Sequence, residues 1–154
     1  MIGLIEDGGN GGGSHASLVI DAGSLTLSHA GDTYTGGTKL EAGVFDLAAI
    51  GAAGTGDIAF QGAGKATLKI ENAALSGHVF SSNDIDSFSR RDVLDLTGLK
   101  FHAGAKATYH PATDRLIVHS GRVTDTLTLV SPHGTHFHAA SDHHGGTDVF
   151  LFFA

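Results

Sequence analysis

Residues 38–47 read Thr38-Lys39-Leu40-Glu41-Ala42-Gly43-Val44-Phe45-Asp46-Leu47. Leu40 and Ala42 alternate with Lys39 and Glu41, and beyond Gly43 the apolar pair Phe45 and Leu47 flanks Asp46. Alternation of this kind puts successive side chains on opposite faces of an extended strand, one face buried and the other wet. A glycine between two such runs permits a tight turn with positive φ. The stretch therefore predicts two strands of a few residues each, meeting at a corner.

The same pattern recurs in both directions. Leu25 and Leu27 alternate with Thr26 and Ser28, and Leu68 and Ile70 alternate with Thr67, Lys69 and Glu71. Leu94 and Leu96 stand around Asp95, and Leu116 with Val118 and Leu127 with Leu129 follow. Leu27 to Leu47 is 20 residues, Leu47 to Leu68 is 21 and Leu94 to Leu116 is 22. The step from Leu68 to Leu94 is 26, which an inserted loop at residues 78–91 would explain. A period near 20 built from short strands and Gly turns is one rung of a parallel β-helix, in which each rung buries its face only by stacking on the next. Leu27, Leu47 and Leu68 are expected to stack in its interior. The fold class expected is all-β, a β-solenoid of about five to six short rungs.

A β-sandwich is the rival, and it predicts turns every 8–12 residues. Residues 106–131 do look hairpin-like, with Pro111-Ala112-Thr113-Asp114 and Ser120-Gly121-Arg122 as turns. The C-terminal third is expected to leave strict rung geometry, and residues 84–91 to hold a short irregular or helical piece. Asp148-Val149-Phe150-Leu151-Phe152-Phe153-Ala154 reads as a final strand closing the core, with an exposed apolar end used for export or self-association as the other reading. The Gly-rich stretch 7–14 makes residues 1–16 a flexible N-terminal segment, leaving 17–154 as a single β-solenoid domain. A calcium-binding Gly-Asp array would need aspartates at a fixed spacing in that stretch, and only Asp7 is there.

Composition narrows the function. There are 23 Gly against 2 Pro, and no Cys, in a chain of 154 residues with net charge −7. Nine scattered Lys and Arg argue against nucleic acid as a partner. No apolar run reaches the roughly 20 residues of a membrane-spanning helix. The first residues, Met1 to Asp7, lack the basic start and apolar core of a secretory signal, so an exported chain would carry its signal elsewhere.

Residues 31–48, Gly-Asp-Thr-Tyr-Thr-Gly-Gly-Thr-Lys-Leu-Glu-Ala-Gly-Val-Phe-Asp-Leu-Ala, resemble the autotransporter-associated β-strand repeat. That repeat has a Thr-Tyr-Thr-Gly-Gly-Thr core, a strand, a Gly and a second strand. Tyr34, Gly36, Gly37, Thr38, Gly43 and Leu47 fall on the pattern, with Phe45 where Leu is common. Residues 92–148 resemble, more loosely, the ends of secreted solenoid passengers and calcium-dependent exoproteins. The resemblance implies a right-handed β-helix, a secreted or cell-surface location, and a structural or adhesive passenger role without catalysis. Partners implied are host or surface glycans or proteins, or neighbouring solenoid repeats. The departure from the family is that these 154 residues include no outer-membrane barrel, as expected of an excised piece or of a chain that leaves by another route.

Three sets of residues are candidates for chemistry. His136, His138, Asp142, His143 and His144, close to His133, form a cluster in which two imidazoles share a strand face and could take zinc, nickel or copper; an extracellular metal-binding module is the alternative function. Solvated outward positions explain the same histidines. Protonation of so many crowded imidazoles below about pH 6.5 would loosen the C-terminal end. Asp84, Asp86, Asp92 and Asp95 could offer oxygens to calcium, which wants six to eight of them; pairing with Arg90 and Arg91, or a turn-forming role for Asp92, explains them equally. A polysaccharide-acting enzyme would need a groove with a cation or paired carboxylates, for which Arg90, Arg91, Asp92 and Asp95 are the one compact set. His110, Asp114 and His119 surround a hairpin turn, and no nucleophile elbow or phosphate loop is present. No cofactor is expected.

Overall fold

Short alternating runs become strands wherever a neighbouring run can take up their backbone hydrogen bonds and cover their apolar face. In the computed structural model, which describes residues 5–7 and 15–152, they do so as an all-β solenoid of about three turns. The first eight strands are β1 (Leu18–Ile20), β2 (Ser24–Leu27), β3 (Thr38–Leu40), β4 (Gly43–Leu47), β5 (Ile58–Phe60), β6 (Ala66–Ile70), β7 (Val79–Asp86) and β8 (Val93–Leu96). Five more complete the chain: β9 (Lys106–His110), β10 (Arg115–Ser120), β11 (Val123–Val130), β12 (Phe137–Ser141) and β13 (Thr147–Leu151). The described helical structure is one 3-10 turn, Asn72–Ala74, and no helix among the described residues is long and apolar enough to cross a membrane.

Through β8, odd and even strands alternate between two sheets. One runs β1-β3-β5-β7-β11-β10-β9, the other β12-β13-β8-β6-β4-β2. Pairing is parallel along β1-β3-β5-β7-β11 and along β2-β4-β6-β8. The chain thus steps from one sheet to the other at every corner, and each rung lies on the one before. Then the geometry changes. β11, β10 and β9 form an antiparallel meander, and β13 and β12 are added antiparallel to β8. The hairpin-like character read in residues 106–131 is present, and the parallel stack ends at four strands in the second sheet, short of the expected about five to six rungs.

The interior is a set of apolar ladders. Leu27, Leu47, Ile70 and Leu96 are register partners, and beside them run Leu25, Phe45, Leu68, Leu94 and Val149. Leu68 is in the core, fully buried, but it stacks on Phe45 and not on Leu47. The step from β4 to β6 is 23 residues, Leu47 to Ile70, and the extra residues sit at corner 61–65. The 26-residue step from Leu68 to Leu94 is as read, since the two are register partners; the lengthened corner 61–65 is an additional one, in the rung before. Leu68 and Ile70 are two apart on one strand and both face inward, so periodicity alone did not separate a step of 21 from one of 23. Leu94 and Leu116 are not rung neighbours, since β8 and β10 lie in different sheets. Residues 84–86 belong to β7 and are not helical.

The Thr-Tyr-Thr-Gly-Gly-Thr stretch holds two rungs together. Tyr34 is fully buried, and its hydroxyl lies 2.7 Å from Thr38 Oγ1. Gly37 has φ +77°, and a side chain there would meet the Asp57 carbonyl of the next rung. Gly43, φ +84°, is pressed against the Gly23 carbonyl of the previous one. Of the segment expected to be flexible, residues 1–4 and 8–14 lie outside the described residues, whereas 5–7 and 15–16 are tied down. Asp7 Oδ1 accepts the Ala16 and Thr35 N–H groups at 2.7 and 3.0 Å, and Ile5 N–H donates to Asp32 at 2.9 Å. The strand read at the C-terminus is β13, with Val149 and Leu151 buried; residues 153–154 of that reading lie outside the described residues.

Leu68→Asp places a charge without a partner in the centre of the second ladder. It is expected to cost about 4 kcal/mol or more and to lower the thermal midpoint by at least about 8 °C. A circular-dichroism melt matching the wild type would remove Leu68 from the core.

Candidate functional site

Corners that lead from the first sheet to the second lie above one another along one side of the solenoid. They comprise residues 21–23, 41–42, 61–65, 87–92 and 131–136. The first two are as short as a corner can be, while the last three are longer and enclose a trough. Its first hollow, about 680 Å³, is lined by residues that include Gln61, Ser87, Ser89, Arg90, Arg91 and His133. A second, about 510 Å³, shares Arg90 and Arg91 and continues to Leu151 and Phe152.

An aromatic chain beneath the trough fixes these loops. Phe88 turns inward from corner 87–92 and is fully buried; its ring meets Phe60 edge-on at 5.1 Å and stacks on Phe137 at 5.9 Å. Tyr109 lies 5.7 Å from Phe137 on the far side. Backbone bonds add to this: Ser87 N–H donates to the Val130 carbonyl at 3.1 Å and His133 N–H to the Phe88 carbonyl at 2.9 Å. Arg91 donates to the Ala63 carbonyl, joining two corners.

Asp92 is 5% exposed in the trough floor. Its Oδ2 accepts the Ser89 N–H and hydroxyl, each at 2.8 Å, which is the turn-forming role read from the sequence. Burial pushes its pKa up, the Ser89 bonds and nearby His133 partly opposing. Asp84, Asp86 and Asp95 are elsewhere: the first two are on β7 in the first sheet, and Asp95 is on the outer face of β8 in the second. The four do not form a calcium cage, and the Arg90, Arg91, Asp92 and Asp95 set is likewise divided.

The histidine cluster also separates. His136 and His138 are exposed on β12 and its approach, each ring edge-on to Phe152 at 6.2 and 6.1 Å. Asp142, His143 and His144 form the turn into β13, where Asp142 Oδ1 accepts the His144 and Gly146 N–H groups at 2.6 and 2.8 Å. Among the described residues, no three His, Asp or Glu side chains converge as a metal site would require. His110 ends β9, His119 lies on β10 bonded to Thr124 at 2.8 Å, and Asp114 accepts the Tyr109 hydroxyl at 3.0 Å. All three residues are thus part of the meander.

A carboxylate group that the sequence reading missed lies on the outer face of the second sheet. Register places Thr26, Asp46, Lys69, Asp95 and Asp148 in one row. Asp95 and Asp148 are directly opposed like charges, and Asp142 reaches the same spot over a cavity of about 190 Å³ that Glu71 and His144 also line. Oδ1 of Asp95 is buried without a hydrogen-bond partner among the described residues. Burial, then the charges of Asp148 and Asp142, push the Asp95 pKa up to about 7, with Lys69 opposing. Asp148 and Glu71 are raised in the same direction, both chiefly by burial. The outward alternation of Asp46, Lys69 and Asp95 was visible in the sequence; that they form one row needed the register.

Comparison with protein-family models, curated proteins and solved structures finds no match to this chain.

The carboxylate row adds a pH dependence of its own, opposite in sign to the one expected of the histidines. A carboxyl whose folded pKa is raised holds a proton that the unfolded chain, titrating near 4, has already released. Asp95 therefore stabilises the fold most below about pH 4, and that stability is lost as pH rises through about 7. His143 and His144 lie near enough to Asp148 to oppose the rise in its pKa. Asp95→Asn is expected to raise the thermal midpoint by about 2–4 °C at pH 8 and to leave it unchanged at pH 4. An Asn variant less stable than wild type at pH 8 would show that ionised Asp95 is held by attraction.

Proposed function

We propose that the chain is a structural and adhesive module of a secreted or surface-displayed bacterial protein, of the autotransporter-passenger kind, and that it performs no catalysis. The observation that carries this reading is the state of Asp92. It is the one acidic side chain lining the larger hollow among the described residues, and it is buried with an oxygen bonded twice to Ser89. Glycoside hydrolysis asks for two carboxyl groups facing one bond across about 5–10 Å, and a trough built on Asp92 alone supplies a binding surface instead. The likeness of residues 31–48 to the autotransporter-associated repeat points the same way, since the buried Tyr34 and the rung-to-rung approach at Gly37 are what such a repeat needs for stacking. Right-handed winding accords with the preferred hand of parallel crossovers.

The test separates retention from turnover. The full chain is incubated with immobilised bacterial and animal cell-surface glycans, and both bound protein and released saccharide are measured. Retention with no new reducing ends or unsaturated products is expected. Release of product that Asp92→Asn abolishes would overturn the non-catalytic reading.

A further inference from the structure

Corners 21–23 and 41–42 close rungs with two or three residues, so the fold does not require the longer corners that follow. Ordering each additional residue costs backbone entropy, and surface loops of this kind on a rigid scaffold are where binding groups are placed. Among the residues these corners add is a pair of adjacent arginines. Arg90 and Arg91 stand exposed, side by side, where the two hollows join, in a chain whose net charge is −7. Arg91 is oriented by its bond to Ala63, and a guanidinium carries five donors in a fixed fork that suits a carboxylate or sulfate. Gln61, Ser87 and Ser89 bring an amide and hydroxyls to one side. On the other side Phe152 is 45% exposed, with the His136 and His138 rings set edge-on against it. An exposed aromatic face beside a hydrogen-bonding wall suits the apolar face and hydroxyl edge of a sugar ring.

We propose that this trough binds a linear acidic polysaccharide, with Arg90 and Arg91 holding one acidic group and Phe152 packing against a neighbouring sugar. The inference rests on the adhesive reading above and names its ligand class. Two open hollows in series fit a chain of several units lying across the corner. The carboxyl of Asp92 does not oppose such a ligand, because it is buried beneath the loop. The rest of the molecule is acidic and repels a polyanion at long range, so attraction comes from the arginine pair at close quarters and weakens with salt.

Isothermal titration of the full chain at about 20 and 150 mM salt tests this with polygalacturonate, a sulfated glycan, neutral dextran and polyglutamate. One or both acidic glycans are expected to bind, which one telling uronate from sulfate, with dextran and polyglutamate inert and affinity lower at the higher salt. Arg90→Ala and Arg91→Ala together are expected to reduce affinity at least about tenfold and Phe152→Ala about threefold. Lys106→Ala, on β9, is expected to change nothing. Because an arginine that binds within the loop can also hold its shape, as Arg91 does through Ala63, Arg90→Ala and Arg91→Ala are each also measured alone, with circular dichroism as the folding control. Failure of both acidic glycans to bind, equal binding of polyglutamate or dextran, or wild-type affinity in Arg90→Ala and Phe152→Ala would each overturn the proposal. Cleavage of a bound glycan would instead sink the non-catalytic reading and leave the binding site in place.

Discussion

Everything in this structure depends on rung-to-rung register in the second sheet. A strand of three to five residues buries too little to persist alone, so each rung exists only because the next covers its apolar face. Neighbouring backbones in a sheet lie about 4.8 Å apart. At that spacing the corners must also stack, which is why Gly37 and Gly43, where one rung's turn presses on the next, cannot carry a side chain. The ladder from Leu27 through Leu47 and Ile70 to Leu96 results from that constraint. So does the outer row from Thr26 to Asp148, because fixing the inward side chains fixes the outward ones. The like-charge pair of Asp95 and Asp148 is a by-product of apolar stacking on the opposite face.

The solenoid was legible because its signal is local and repeated. Alternation around Leu40, Phe45, Leu68 and Leu94 gives strands and faces, and a recurrent step near 20 gives rungs. What was not legible was register. Leu68 and Ile70 both point inward, and nothing in their types says which of them follows Leu47. The true step of 23 depends on whether residues 61–65 form a longer corner or a longer strand, and the glycines there allow either. The candidate site suffered from the same limit. Arg90, Arg91 and Asp92 stood out by charge, but their companions Gln61, Ser87 and Phe152 are brought beside them only by stacking of corners far apart in sequence. The histidines misled in the opposite sense. Crowding along the chain suggested a cluster, whereas a strand followed by a turn spreads His138 and His144 along the sheet edge.

Longer corners carry the chemistry because length can vary there without disturbing the ladders. A residue added within a strand would turn every following side chain to the wrong face, while residues added at 61–65 or 87–92 leave the sheets intact. The inward-turned Phe88 reconciles the two demands. It anchors the corner to the core through Phe60 and Phe137, so that the loop bearing Arg90 and Arg91 is tied to the strands beneath it.

The antiparallel end has a consequence for how the chain reaches this state. A parallel rung forms by closing a loop of some twenty residues onto the strand just made, so the stack can grow stepwise from its N-terminal side. The hairpin of β12 and β13 must return across the whole meander to find β8, and Thr147 reaches back to the Leu99 carbonyl over 48 residues. Closure over long separations is slow, so this pairing is expected to form late. Until it does, the growing stack presents an unsatisfied row of backbone donors and acceptors at β8. A chain that emerges N-terminus first would remain competent to pair with another edge for as long as its final strands have yet to arrive.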